Sequence, residues 1–401
     1  MRALLVINAT LDPAMESAGE RGERPRKDYL ELQRALGAAV IDLAILRRYL
    51  WTRVLARLAG TGPAQAALAW WWSGKFDAVF VDRETTGSIV GALNRLRRKR
   101  PRLVMIGHLL TPWKKRVLLR ALGIRHTADS LIVHSTAQQR AALTDLGLRA
   151  EQVTLLPYQT DTRFWAPRAQ VVNCRICSAG LEYRDYATLI EATRDLSVDV
   201  TIGAASYWSK HETGIERERL PHNVHVVSLD YAALREAYAD SLFVVVPLHD
   251  ADNQAGITTI LEAMAMGKAV VVSHTRGQTD VVRDRRHLSR SNPQRTTQPE
   301  WAHLLGASDL TANAHTGIYV RPNDPGELRR AIIFLLRHPD QAAAMGANGR
   351  RLVEETMDLD RFVERVAALV GRMPSALADT PVAATPSVDP ELQALVPYGS
   401  P

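Results

Sequence analysis

SLFVVVPLHDADNQAGITTILEAMAMGKAVVVSHTRGQTDVV, residues 241–282, decides the fold of this 401-residue chain. Phe243 to Val246 is a continuous apolar run, mostly β-branched, of the length of a strand buried on both faces. A polar loop, Leu248 to Ala255, follows it and ends at Gly256. Ile257 to Met266 then reads as a helix, with Ile257, Ile260, Leu261 and Met264 on one side. Gly267 stops that helix, and Ala269 to Ser273 is a second buried strand. The unit is strand–loop–helix–strand, and its loop opens onto a helix N-terminus.

A helix N-terminus presents unpaired N–H groups and partial positive charge, so it favours an anion such as a phosphate. Gly256 lets backbone approach a ligand closely because it has no Cβ. Glu262 interrupts the apolar character of the helix, and a carboxylate there calls for a partner. At about 1.5 Å per residue it lies roughly 9 Å along the axis from Gly256. That spacing suits a carboxylate holding sugar hydroxyls while the helix end holds phosphate. A solvated helix face is the other reading, and periodicity alone leaves both open.

The rest of the chain bounds the class. It is long enough for two domains, and its 46% apolar and 23% charged residues are those of a globular protein. The net charge is +7, and residues 373–401 hold acids but no Lys or Arg, so the body is more basic still. Such a surplus favours anionic partners: nucleotide diphosphates, an acidic leaflet or nucleic acid. The run RLRRKRPR, residues 95–102, lacks the aromatic residues on which single-stranded nucleic acid stacks, so a nucleic-acid partner is not expected. The first strand, Ala3 to Ile7, is followed by no G-x-G-x-x-G, which argues against a nicotinamide-dependent oxidoreductase. Cys174 and Cys177 have no second pair to complete a zinc site and read as reduced core residues. The N-terminus, MRALLVIN, turns polar too soon for a signal peptide, and no apolar run reaches membrane-spanning length. A cytoplasmic chain is expected.

QAGITTILEAMAMGKAVVVS, followed by RGQTD, resembles the donor-binding signature of family-4 retaining glycosyltransferases with the glycosyltransferase B fold. That signature is Glu-x7-Glu with a Gly-rich turn after it. Glu262 matches the second Glu, and Gln254 stands in place of the first. The resemblance extends over roughly residues 100–370. It implies an α/β protein of two Rossmann-like domains facing across a cleft: an acceptor domain over 1–166 and a nucleotide-sugar domain over 167–358. A helix over 359–372 would cross back to the first domain, and 373–401 read as a disordered tail. Residues 283–314 read as an insertion.

The resemblance also implies site residues. Gly256, Ile257 and Thr258 would hold the diphosphate of a nucleotide-sugar donor, and Glu262 the ribose. Gln254 would touch the donor sugar, without the charge a Glu carries. His108, at the end of a strand over 103–106, would position the sugar and support positive charge developing there. Arg184 takes the place of a family Lys that grips phosphate, while Leu181 stands where a second cation is usual; Arg276 and Lys268 are candidate substitutes. No cofactor is expected, and Asp250 and Asp252 sit in the donor loop, so no metal is expected either. The acceptor, whether small molecule, glycan or lipid, is not readable. Gln254 and Leu181 also motivate a rival reading, an inactive paralogue that binds a sugar nucleotide without transferring it.

One further stretch stands apart. LAILRRYLWTRVLARLAG, residues 43–60, is a basic amphipathic helix in pattern, and Trp70, Trp71 and Trp72 follow it. It reads as a packing helix with a solvated basic face; the alternative is a helix lying at an anionic membrane surface, in an enzyme or an adaptor built on this scaffold.

Overall fold

The computed structural model describes residues 1–169, 174–204, 220–284 and 315–371. The body of the expected insertion and the expected tail lie outside these residues. The chain forms two compact units, one of residues 1–17, 27–156 and the described residues from Phe362 on, the other of residues 18–26 and 157–361.

The first unit is built on six parallel strands: β1 (Ala3–Val6), β2 (Ala39–Ile41), β3 (Ala78–Val81), β4 (Arg102–Gly107), β5 (Ser130–Val133) and β6 (Val153–Leu155). Their order is β2-β1-β3-β4-β5-β6. The second unit repeats the plan with β7 (Arg175–Ala179), β8 (Asp199–Gly203), β9 (Val224–Val227), β10 (Phe243–Val246), β11 (Ala269–Ser273) and β12 (Gly317–Val320). Its order is β12-β11-β10-β7-β8-β9, again parallel throughout. β10 and β11 are buried along their whole length, as their unbroken apolar runs require of central strands in a parallel sheet. Both units are Rossmann-like.

Apart from the short excursion of residues 18–26, the chain passes from the first unit to the second after Leu156. The segment beyond Pro157 is tied to the second unit. The Thr160 amide donates to the Met357 carbonyl at 2.9 Å, and Thr162 Oγ1 donates to Asp358 Oδ2 at 2.5 Å. Arg26 joins the same cluster, with Nη2 2.8 Å from Asp161 Oδ1 and Nη1 2.7 Å from Asp360 Oδ1. That fork explains why residues 18–26 belong to the second unit. The helix Leu359–Gly371 begins in the second unit and continues in the first from Phe362.

The segment after β1 contains a helix, Pro13–Glu20. Two sequence expectations need correction. Cys174 is exposed just ahead of β7, and only Cys177 is a core residue. Residues 43–60 form a short 3-10 turn, Ile45–Arg47, and a helix, Leu50–Ala59, whose only buried side chain is Thr52. That helix does not bury its apolar face; it rides on the helix Thr61–Ser73, which in turn lies against β1 and β2.

Candidate functional site

In the second unit, β7 and β10 are neighbours, yet the chain leaves β7 toward β8 and leaves β10 toward β11. Loops leaving adjacent strands in opposite directions open a crevice at the strands' C-terminal ends, where ligands bind in such sheets. The loop after β7 is Gly180 to Asp185, and the loop after β10 is Pro247 to Gly256. They are stitched together below the crevice: the Asp185 amide donates to the Pro247 carbonyl at 3.1 Å, and the His249 amide to the Tyr183 carbonyl at 3.0 Å.

The helix Ile257–Ala265 starts at this crevice. Gly256 precedes it with φ 79° and ψ 0°, in the left-handed region, and no side chain caps the helix. A Cβ at Gly256 would lie 2.8 Å from Val246 Cγ1, so both the backbone angle and the space demand glycine. Among the described residues, the amides of Gly256 and Thr258 find no hydrogen-bond acceptor. Of the helix's nine residues only Thr258 and Glu262 reach the surface, and they stand one turn apart on the same stripe. The open amides and the carboxylate therefore line one face. Tyr238, fully buried, donates its hydroxyl to Glu262 Oε2 at 3.2 Å. Burial, reinforced by the charge of Glu262, pushes the Tyr238 phenol well above its ordinary pKa, so it remains a donor.

Arg184 lies beneath the helix start. Its guanidinium is buried, with Nε donating to the Ala179 carbonyl at 2.8 Å, Nη1 to the Glu182 carbonyl at 2.9 Å and Nη2 to Thr259 Oγ1 at 3.0 Å. No carboxylate of the described residues forms an ion pair with it. Burial lowers its pKa, and the charge of Glu262 is among the influences working against that. Three of its five N–H groups are spent on the protein. Its main service to an anion is thus its field, added to that of the helix end; its Nη1 lies 3.4 Å from where a Gly256 Cβ would stand.

The two substitutes considered for a second cation are not placed for that role. Lys268 is buried at the opposite end of β11, where Nζ donates to the Ala239 and Ser241 carbonyls at 2.8 and 2.9 Å. Arg276 forks between Asp250 Oδ2 at 3.0 Å and Asp252 Oδ1 at 3.2 Å. That fork occupies the Asp-x-Asp pair, and the described residues contain no group of three or more His, Cys, Asp or Glu able to hold a metal. Leu181 packs against the apolar core of the unit.

The Gly-rich turn after β11 braces the loop after β10. The Gly277 amide donates to the Ala251 carbonyl at 2.8 Å, and buried Gln278 reaches the Ala255 carbonyl at 3.1 Å. A side chain at Gly277 would collide with the Asn253 carbonyl. Gln254, half-buried in this braced loop, accepts the Ile257 amide at 3.2 Å through its carbonyl. Residues 187–298 match the family model described as Glycosyl transferases group 1.

The architecture is the glycosyltransferase B fold.

Anabaena HepE, solved in complex with UDP and glucose, superposes with a TM-score of 0.64 at 16% identity, over 92% of this chain and 99% of that one. Sucrose-phosphate synthase from Thermosynechococcus elongatus gives 0.62 at 17% identity, over 92% and 98%. An Escherichia coli structure described as trehalose-6-phosphate bound with UDP-2-fluoro glucose gives 0.61 at 12% identity, over 92% and 99%. No curated protein matches the chain by sequence.

The first Rossmann-like unit of this glycosyltransferase B fold carries its own cluster. His108 follows β4; its amide donates to Glu84 Oε2 at 3.2 Å, and its Nε2 lies 3.2 Å from Asp82 Oδ1. Asp82 follows β3, the neighbouring strand, and Glu84 opens the helix Glu84–Asn94. Glu84 is buried and ion-paired with Lys115. Burial works to lower the His108 pKa, but the hydrogen bond and charge of Asp82, with the charge of Glu84, raise it overall. His134, its ring centroid 5.6 Å from that of His108, is held neutral: burial first, and the charge of His108 second, bring its pKa down to about 3. Its Nδ1 donates to the Leu156 carbonyl at 2.8 Å.

The sequence reading thus names Arg184, Gln254, Gly256, Ile257, Thr258 and Glu262, and the second unit gathers all of them at one crevice. His108 belongs to the first unit. Tyr238, Thr259, Asp82, Glu84 and Lys115 escape the sequence reading. They support the named residues from other elements, and only the strand order brings them there.

Proposed function

We propose that this chain is a glycosyltransferase that takes a sugar from a nucleotide-diphosphate sugar, with retention of anomeric configuration. The observation that carries the reading is the stripe at the second unit's switch point. Open amides at Gly256 and Thr258, a buried cation without a carboxylate partner, and Glu262 one turn onward fit a diphosphate followed by a ribose. The glycosyl transferases group 1 match over residues 187–298 supports the same reading.

In this mechanism the helix end and the field of Arg184 stabilise the diphosphate as the glycosidic bond breaks and negative charge gathers on it. Donors aimed at developing charge are worth about 3–4 kcal/mol each in favourable cases. Glu262, oriented by Tyr238, accepts from the ribose hydroxyls. Gln254 hydrogen-bonds the transferred sugar. The raised pKa of His108 fits it as a donor to a sugar hydroxyl better than as a stabiliser of positive charge; Asp82 balances that charge. The acceptor's proton passes to the leaving phosphate on the same face, so no separate protein base is required.

The deciding experiment is a thermal-shift screen against UDP-, GDP- and ADP-sugars, followed by turnover of the sugar that binds. Stabilisation by one nucleotide sugar, lost in Glu262→Ala, is expected. No shift with any of them would overturn the reading. Gln254, in place of the family's Glu, favours one alternative: a chain that binds the donor without transferring it. Binding without turnover, with turnover gained in Gln254→Glu, would select that alternative.

A further inference from the structure

The helix Leu50–Ala59 leaves an apolar face uncovered. Leu50, Trp51, Val54 and Leu58 are exposed along it at helical spacing, Leu58 by 82% of its surface. Trp71, from the helix beneath, is 55% exposed and continues the patch. The aromatic rings are locked together rather than splayed: Trp51 lies 6.0 Å from Trp71, and Tyr49 lies 5.8 Å from Trp71. Burying this face against the protein is the ordinary outcome for such a sequence, and nothing among the described residues does so.

The charge around the patch identifies its partner. Between Asp42 and Asp77 the sequence has no carboxylate at all, while it has Arg47, Arg48, Arg53, Arg57 and Lys75. The four arginines are exposed, and none of them is in an ion pair among the described residues. An aromatic and aliphatic face flanked by arginines, with every acid removed, matches a bilayer interface with anionic headgroups. An acidic protein partner would be matched by the arginines but would not by itself explain tryptophans beside leucines on one exposed face. No helix among the described residues is long and apolar enough to cross a membrane, so the contact is with the surface.

We propose that the face formed by Tyr49, Leu50, Trp51, Val54, Leu58 and Trp71, with Arg47, Arg48, Arg53 and Arg57, docks the protein onto an anionic lipid surface. The tryptophans and leucines enter the headgroup region, and the arginines meet phosphates. This goes beyond the proposed transfer reaction and stands apart from it, since donor binding is measured without lipid.

The test is vesicle flotation of the full chain with pure phosphatidylcholine and with an equal mixture of phosphatidylcholine and phosphatidylglycerol. Flotation with the anionic vesicles only, reduced by added salt, is expected. Arg47→Ala with Arg53→Ala should lower partitioning about fivefold per arginine. Trp51→Ser with Leu58→Ser should abolish it; both positions are exposed, so thermal melting and nucleotide-sugar binding should stay as in the parent. Failure to float with either vesicle would overturn the proposal. So would flotation unchanged in both double variants, or binding to polyglutamate in place of anionic vesicles.

Discussion

Glu262 shows how much of the proposed donor site one side chain would organise. It is the acid in an otherwise apolar helix, it shares its accessible stripe with Thr258, and Tyr238 fixes one of its oxygens. Hydrogen bonds to a charged group contribute about 1.5–3 kcal/mol, so Glu262→Ala should weaken nucleotide-sugar binding by that amount in calorimetry. Tyr238→Phe leaves the charge and removes only its anchor, so about 0.5–1.5 kcal/mol is expected. Equal affinity in Glu262→Ala and the parent would remove Glu262 from the site. His108 is the counterpart in the first unit. His108→Gln should reduce kcat well beyond its effect on donor affinity. Asp82→Asn removes the main influence that raises the His108 pKa, so the limb of the pH–rate profile reporting His108 should move to lower pH. A profile that does not move would separate Asp82 from the reaction.

At the scale of elements, the helix Ile257–Ala265 depends on how its first turn is made. Gly256 holds a left-handed angle, and any Cβ there presses on Val246. Gly256→Ala should cost about 1–2 kcal/mol of stability from the backbone angle, with more from the contact, and should also weaken donor binding by tilting the open amides. Urea unfolding and calorimetry on the same variant check both; an unaffected donor affinity would mean the amides are not used. This element was legible in the sequence because an apolar run of fixed length, a glycine and a periodic helix each point the same way. β10 and β11 read clearly for the same reason. β8, with its partly exposed alternation over Asp199–Gly203, gave little pattern to recognise. The partners of the site residues were less legible. Asp82 meets His108 because β3 and β4 are adjacent, and Tyr238 meets Glu262 across two elements; no spacing along the chain encodes either pairing. The helix Leu50–Ala59 marks a different limit. Periodicity reports that a helix has an apolar face, but whether anything covers that face depends on what packs there.

For the molecule as a whole, buried histidine makes stability depend on pH. His134 stays neutral in the folded chain down to about pH 3, whereas a histidine in the unfolded chain takes up a proton near pH 6.5. Between those values the unfolded state binds the extra proton, so acid favours unfolding. The loss approaches about 1.4 kcal/mol per pH unit below 6.5, or roughly 2 kcal/mol between pH 7 and pH 5. His108 acts in the other direction: its raised pKa contributes stability that is complete below pH 6.5 and lost as pH rises through the folded value. A His134→Gln variant keeps a donor for the Leu156 carbonyl and removes the titration. Its urea midpoint should therefore fall less than the parent's on going from pH 7 to pH 5, by the equivalent of about 2 kcal/mol. Parallel pH dependences in the two proteins would show that His134 titrates as an ordinary histidine, and that acid sensitivity, where present, comes from carboxylate pairs such as Asp360 with Arg26.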